Sequence, residues 1–310
     1  MKNGIKKAIL FVIFGAVLFL ELFVLNRVLI NKETSGVQSR FARFEKDSVH
    51  TVFIGNSHQY CSIDPDLLHE EYGIDTFMLA TAGQTVPMSY YAALEAIEFQ
   101  HPERIIFEVS YCANDFRTIS PEMSHYFFDC MPACKARSLA LKDLVGKDAI
   151  NYLIPLSTYH GRWKELTEMD FSDQAVSERG GVHYEQKVWN DEIPLVDEWE
   201  STPMPEEMEK YMDLLVELCQ ENGVELILYA APFNTLYTGD DHLVEDLLNR
   251  ERIFNYVGEY ALEKGIEYHN LFYELEWIGL AGDDWMDRQH LNYFGQQKFT
   301  RYMADMGYIR

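Results

Sequence analysis

Residues 50–58, HTVFIGNSH, set a β-rich apolar run directly against a glycine, an asparagine, a serine and a histidine. A short apolar run closed by turn-forming residues reads as a strand buried on both faces, as in a parallel sheet. Four more runs follow: Thr76–Ala80 (TFMLA), Arg104–Ser110 (RIIFEVS), Val224–Ala230 (VELILYA) and Gly265–Asn270 (GIEYHN). Between them lie stretches of helical spacing at Asp64–Tyr72, Met88–Gln100, Pro205–Glu221 and His242–Lys264, and a last helix is expected over Asn292–Met306. In YMDLLVELC (211–219) the apolar residues recur at three and four, so that helix should pack on the sheet. Strands alternating with helices predict βαβ units and an α/β domain around a parallel sheet of about five strands. Residues 111–203 break the alternation, carry much Tyr, Trp, His and Gly, and are too long for a simple connection. They read as an insertion over one end of the sheet.

Upstream, residues 8–25 read AILFVIFGAVLFLELFVL, with Glu21 as their one charge. At about 1.5 Å per residue, a helix continued through Ile30 crosses a hydrocarbon core of about 30 Å. Residues 1–30 are therefore expected to be a transmembrane anchor, 31–48 a juxtamembrane tether and 49–310 the folded domain. Lys2, Lys6 and Lys7 precede the apolar run, which puts the amino terminus in the cytoplasm and the domain outside the cell membrane. A cleaved signal peptide is the alternative, but its apolar region is shorter, and no A-x-A cleavage site follows here.

The 310 residues carry 26 Lys and Arg against 50 Asp and Glu, a net charge of -24 that repels a phosphate backbone and argues against nucleic-acid binding. With 47% hydrophobic residues the chain is an ordinary globular one rather than a disordered one. Its five cysteines are an odd number, so at least one thiol has no partner within the chain; a local Cys130–Cys134 bridge is left open.

In an open parallel sheet, ligands bind beyond the carboxyl ends of the strands. Strand one ends there in Gly55-Asn56-Ser57-His58, strand two in Thr81-Ala82-Gly83-Gln84 and strand three in Ser110-Tyr111-Cys112-Ala113-Asn114-Asp115. Asp287-Arg288-Gln289-His290 stands just before the last helix. A serine between strand and helix exposes its oxygen as a nucleophile, His290 can act as its base, and Asp287, three residues earlier, can orient that base. The amides of Ser57 and Gly83 and the side chain of Asn114 would form an oxyanion hole.

Each residue alone also has a plain structural reading. Ser57 suits a helix N-cap, Gly83 a tight turn, and Asp287 a capped turn; His58 and His69 are read as non-catalytic, with His58 bonding locally or lining the pocket and a direct role for it as the alternative. A metal held by His58, Asp287 and His290 lacks any supporting H-x-H or E-x-x-H spacing, so no metal or cofactor is expected. Tyr90, Tyr91, Tyr111, Trp163, Tyr184 and Trp189 are candidates for stacking on sugar rings, and Arg179-Gly180-Gly181 for placing a cation over the site.

The order of Ser57, Gly83, Asn114, Asp287 and His290 resembles the SGNH/GDSL hydrolase superfamily, whose sequence blocks supply these residue types in this order. The resemblance runs from about residue 50 to the end and leaves the insertion unmatched. Block one is G-N-S-H where many members have G-D-S, the final D-R-Q-H fits, and A-N-D stands where a G-x-N-D is usual. The resemblance implies a flavodoxin-like three-layer α/β/α fold and a serine esterase or O-acyltransferase acting through an acyl-serine. With its anchor, the chain resembles the membrane-tethered branch that handles acyl groups on cell-surface polymers, as in teichoic-acid D-alanylation and alginate O-acetylation. That branch implies an acylated envelope glycan as substrate and a multi-pass membrane O-acyltransferase as partner. A non-catalytic accessory protein of such an acyltransferase and a lipid esterase are the competing expectations.

Overall fold

The computed structural model describes residues 2–30, 44–113, 121–153, 156–171, 177–187, 200–234, 241–287 and 289–310. Five strands, β1 (Thr51–Gly55), β2 (Thr76–Ala80), β3 (Arg104–Glu108), β4 (Glu225–Ala230) and β5 (Glu267–Asn270), form one wholly parallel sheet in the order β2-β1-β3-β4-β5. This is the flavodoxin-like doubly wound order, in which the chain leaves β1 and β3 toward opposite sides and opens a crevice between their carboxyl ends. The register aligns that rim: Gly55 lies opposite Ala80, Ile54 opposite Phe107, and Glu108 opposite Tyr229.

Alternation along the strands builds two cores. Val52, Ile54, Phe77, Leu79, Ile105, Phe107 and Leu228 face one; Phe53, Met78, Ile106, Ile227 and Tyr229 face the other. Over β1 to β4 neither face meets water, which is why those strands read as apolar runs, whereas β5, EYHN, is only partly buried. Helices α3 (Val86–Gln100), α5 (Glu206–Asn222) and α6 (Asp241–Lys264) cover the first face. Helices α2 (Ser57–Ser62) and α7 (Tyr293–Asp305) cover the second.

Helix α1 (Lys2–Leu29) is long and apolar enough to cross a membrane. Its carboxyl end rests on three short helical pieces of the insertion, Leu156–Tyr159, His160–Lys164 and Glu168–Phe171. Within 111–203 the described residues form only helical turns and loops, including α4 (Pro121–Phe128). The expected tether over 31–48 falls mostly outside the described residues.

β2 spans the residues expected, and the other four strands are shorter than the sequence suggests. β3 ends at Glu108 because the Val109 amide makes the last sheet bond, to the Tyr229 carbonyl, and the chain then turns with the Cys112 amide on the Val109 carbonyl. Among the cysteines no disulfide forms: all five thiols are free and four are buried. The Arg179 turn is not over the site. Arg179 pairs with Asp75 at 3.3 Å and its carbonyl accepts from the Met78 amide at 2.9 Å, so it borders β2, one of the two edge strands. A lone edge strand offers unpaired amides, and this turn takes one of them.

Candidate active site

Ser57 owes its position to its two predecessors. A Cβ on Gly55 would come within 2.8 Å of the Gln59 Cβ and 3.3 Å of the Glu108 Cβ, so the turn into α2 closes tightly only over a glycine. Asn56 then caps the helix, its Oδ1 accepting from the His58 amide at 2.7 Å, while its Nδ2 donates to the Ser110 Oγ at 2.9 Å. Ser57, the first residue of α2, is left half-buried, with its oxygen at the rim.

The last loop brings its histidine to that oxygen. His290 Nε2 lies 2.8 Å from the Ser57 Oγ. On the other side of the ring, Nδ1 lies 2.8 Å from Asp287 Oδ2 and 3.0 Å from Oδ1. A carboxylate only accepts, so Nδ1 carries the proton and Nε2 presents its lone pair to the serine hydroxyl. Burial pushes the Asp287 carboxyl up, but hydrogen bonds from the His290 ring and from the Gln289 and His290 amides outweigh it and hold the acid below its usual range.

Packing fixes the loop itself. Trp285 and Leu291 pair as an antiparallel bridge, and Asn292 caps α7 while its Nδ2 donates to the Asp283 carbonyl at 2.8 Å. Gln296 Nε2 donates to the carbonyls of Tyr60 at 2.7 Å and Ile63 at 3.1 Å, which lashes α7 to α2. Residues 233 positions apart in the chain thus share one hydrogen bond.

His58 belongs to this site in a way its neighbours in sequence do not reveal. Its ring stacks on His290 at 4.7 Å and on Phe233 at 4.4 Å, each with planes 25° apart. The Arg250 guanidinium lies over the Phe233 ring, 5.6 Å from its centre. Burial, then the charges of His290 and Arg250, pull the His58 ring well below the usual histidine range, so it stays neutral. A neutral ring supports His290 without opposing the charge that His290 gains on taking a proton.

Beneath the serine turn lies a buried acid. Glu108 accepts from the Ser110 hydroxyl at 2.6 Å and the Ser110 amide at 3.0 Å, continuing the Asn56–Ser110 bond inward. Burial raises its carboxyl to about 7, although the donors at Ser110 and Ala231 and the charge of Arg250 pull it down. The folded protein therefore holds a proton here that the unfolded chain releases near 4.5. Its contribution to stability is whole below that value and is lost as pH rises through about 7, a swing of about 3 kcal/mol. Glu108→Gln is expected to shrink the fall in urea midpoint between pH 5 and pH 8; an unchanged slope would assign the pH dependence elsewhere.

Of the residues expected at the site, Ser57, Asp287 and His290 are brought together. Gly83 lies in the turn that leaves β2 at the same rim, with φ +68°, and the Met123 Sδ of α4 would stand 2.7 Å from a Cβ placed on it. Asn114 lies outside the described residues, as does Trp189. Tyr90 and Tyr91 are on α3; the hydroxyls of Tyr91 and of Tyr211 on α5 both donate to Asp143, at 2.8 Å and 2.5 Å, and so brace the insertion. Among the described residues, no three His, Cys, Asp or Glu side chains are grouped to hold a metal ion.

No protein-family model and no curated protein matches the chain. One solved structure to which it is similar is a crystal structure of a Bacteroides fragilis protein provisionally assigned as an acylhydrolase. It shares 11% identity over 91% of this chain and 98% of that one, with a TM-score of 0.41. A likeness this distant carries no argument about the chemistry.

Proposed function

We propose that the chain is a serine esterase or O-acyltransferase, anchored in the cell membrane by α1, that handles acyl esters of cell-envelope glycans on the outer side. The observation that carries the reading is the 2.8 Å approach of His290 Nε2 to the Ser57 Oγ, with Asp287 on the opposite ring nitrogen. Asp287 and His290 follow the D-x-x-H spacing of the SGNH/GDSL hydrolases, and Ser57 and Gly83 stand at strand ends as in that superfamily.

In the proposed cycle His290 takes the Ser57 proton as the Oγ attacks the ester carbonyl, and Asp287 steadies the imidazolium. The amides of Ser57 and Gly83, joined by Asn114, receive the oxyanion. Collapse breaks the ester bond, the alcohol leaves with the proton from His290, and the acyl group stays on Ser57. Water then yields an acid, and a sugar hydroxyl yields a new ester. The lysines at the start of α1, Lys2, Lys6 and Lys7, support an inward amino terminus, and an enzyme held outside the membrane meets glycans and, in this proposal, a multi-pass membrane O-acyltransferase that supplies acyl groups.

A fluorophosphonate probe tests the reading, because it reacts with serines activated in this way. The full chain is expected to label, and Ser57→Ala to abolish the label. A folded wild-type protein that stays unlabelled would make the chain a non-catalytic accessory of an acyltransferase.

A further inference from the structure

The end of α1 is clasped by the insertion. Arg162 Nη1 donates to the Leu29 carbonyl at 2.6 Å and Nη2 pairs with Asp170 at 2.8 Å. The second Asp170 oxygen accepts from the Thr167 amide at 2.7 Å. An arginine at this place fills one of the carbonyls that a helix leaves open at its carboxyl end and complements the helix dipole. At about 1.5 Å per residue α1 is roughly 42 Å long against a hydrocarbon core of about 30 Å, so Leu29 stands at the edge of the lipid if α1 spans.

Two large aromatic side chains flank the clasp. Trp163 follows Arg162 and is 64% exposed; Phe171 follows Asp170 and is 69% exposed. Side chains of this size left in water next to a membrane span have the chemistry of an interfacial aromatic belt. Arg162 is paired with Asp170, and Glu165 and Glu168 follow, so the segment as a whole is not basic; the local cation beside the aromatic ring is Lys164, whose ammonium sits 5.4 Å from the centre of the Trp163 ring. A Lys beside a Trp suits the level where lipid phosphates meet the acyl chains.

We infer that residues 160–171 are a foot that lies in the headgroup layer of the membrane α1 crosses, with Trp163 and Phe171 inserted and Lys164 on lipid phosphate. The inference rests on the membrane-spanning reading of α1. The turn that leads directly into the foot, Leu156–Tyr159, is tied to the rim of the candidate site: His125 Nε2 of α4 meets the Thr158 Oγ1 at 3.2 Å, and Met123 of the same helix packs on Gly83. The site is thereby held at a fixed height above the lipid.

The test uses the full chain in phosphatidylcholine vesicles whose lipids carry bromine high on the acyl chains, a contact quencher of tryptophan emission. Helix α1 contains no tryptophan, so any quenching comes from the domain. Wild-type emission is expected to be quenched, Trp163→Phe to lose most of that quenching, and Trp163→Phe with Phe171→Trp to regain it. Extraction with alkaline carbonate separates the two readings. A chain that resists extraction but shows no quenching dependent on residue 163 overturns the foot and keeps the anchor, whereas a chain released by carbonate overturns both.

Discussion

His290→Ala is expected to lower ester turnover by roughly 10⁴- to 10⁶-fold, Ser57→Ala to do the same, and the double variant to lose almost nothing more. The saturation follows from the geometry. With Nε2 2.8 Å from the Oγ, serine and imidazole would act in the proposed cycle as one proton-transfer unit, and removing either end would remove the unit. Asp287→Asn should cost somewhat less, about 10⁴-fold, because an amide in place of the carboxylate can turn its NH₂ toward Nδ1 and favour the wrong tautomer. Steady-state kcat of the full chain on an activated ester reads all four variants. A loss below about ten-fold for His290→Ala would remove the ring from the reaction.

Gly295→Ala is expected to be the most disruptive single methyl in the domain. At the third position of α7, a Cβ would lie 2.4 Å from the Asp284 carbonyl oxygen and 3.0 Å from both the Asp284 Cβ and the Leu291 Cδ2. None of these can step aside freely. The Asp284 carbonyl already accepts from the Asn292 amide at 2.9 Å, and its carboxylate holds the Ala281 amide and Lys298, each at 2.7 Å. The clash must move the segment between residues 284 and 292, which carries Asp287 and His290. Overpacking of this kind costs about 1–3 kcal/mol or more, so the thermal midpoint should fall and fluorophosphonate labelling should slow together. Gly161→Ala, which meets open space, serves as the control. Equal behaviour of the two variants would show that the loop yields without cost.

Strands β1 to β4 were legible because a strand buried on both faces has no choice but to be apolar, and TVFIG, TFMLA and ELILYA announce that burial; β5, EYHN at the sheet edge, is only partly buried. The pairing of Asp287 with His290 was legible too, since three residues on one turn leave little freedom. Helix α2 was not, for six residues are too few to display a helical period. The pile of His290, His58, Phe233 and Arg250 was equally hidden, because its members come from four separate stretches of chain and no local spacing links them. Glu108 left a trace that went unread: a carboxylate inside RIIFEVS is costly in a buried strand unless donors such as Ser110 await it. The Arg179 turn misled for a similar reason. Its glycines do mark a turn, but sequence alone does not tell which border of the sheet a turn lies against.

The unpaired state of all five cysteines bears on how the protein matures. Burial lifts the thiols of Cys61, Cys112, Cys130 and Cys219 above their ordinary value, which keeps them in the unreactive protonated form. No covalent staple has to be installed before the polypeptide reaches its final shape. Synthesis of the folded protein should therefore proceed as well without air as with it, and in hosts that lack any thiol oxidase.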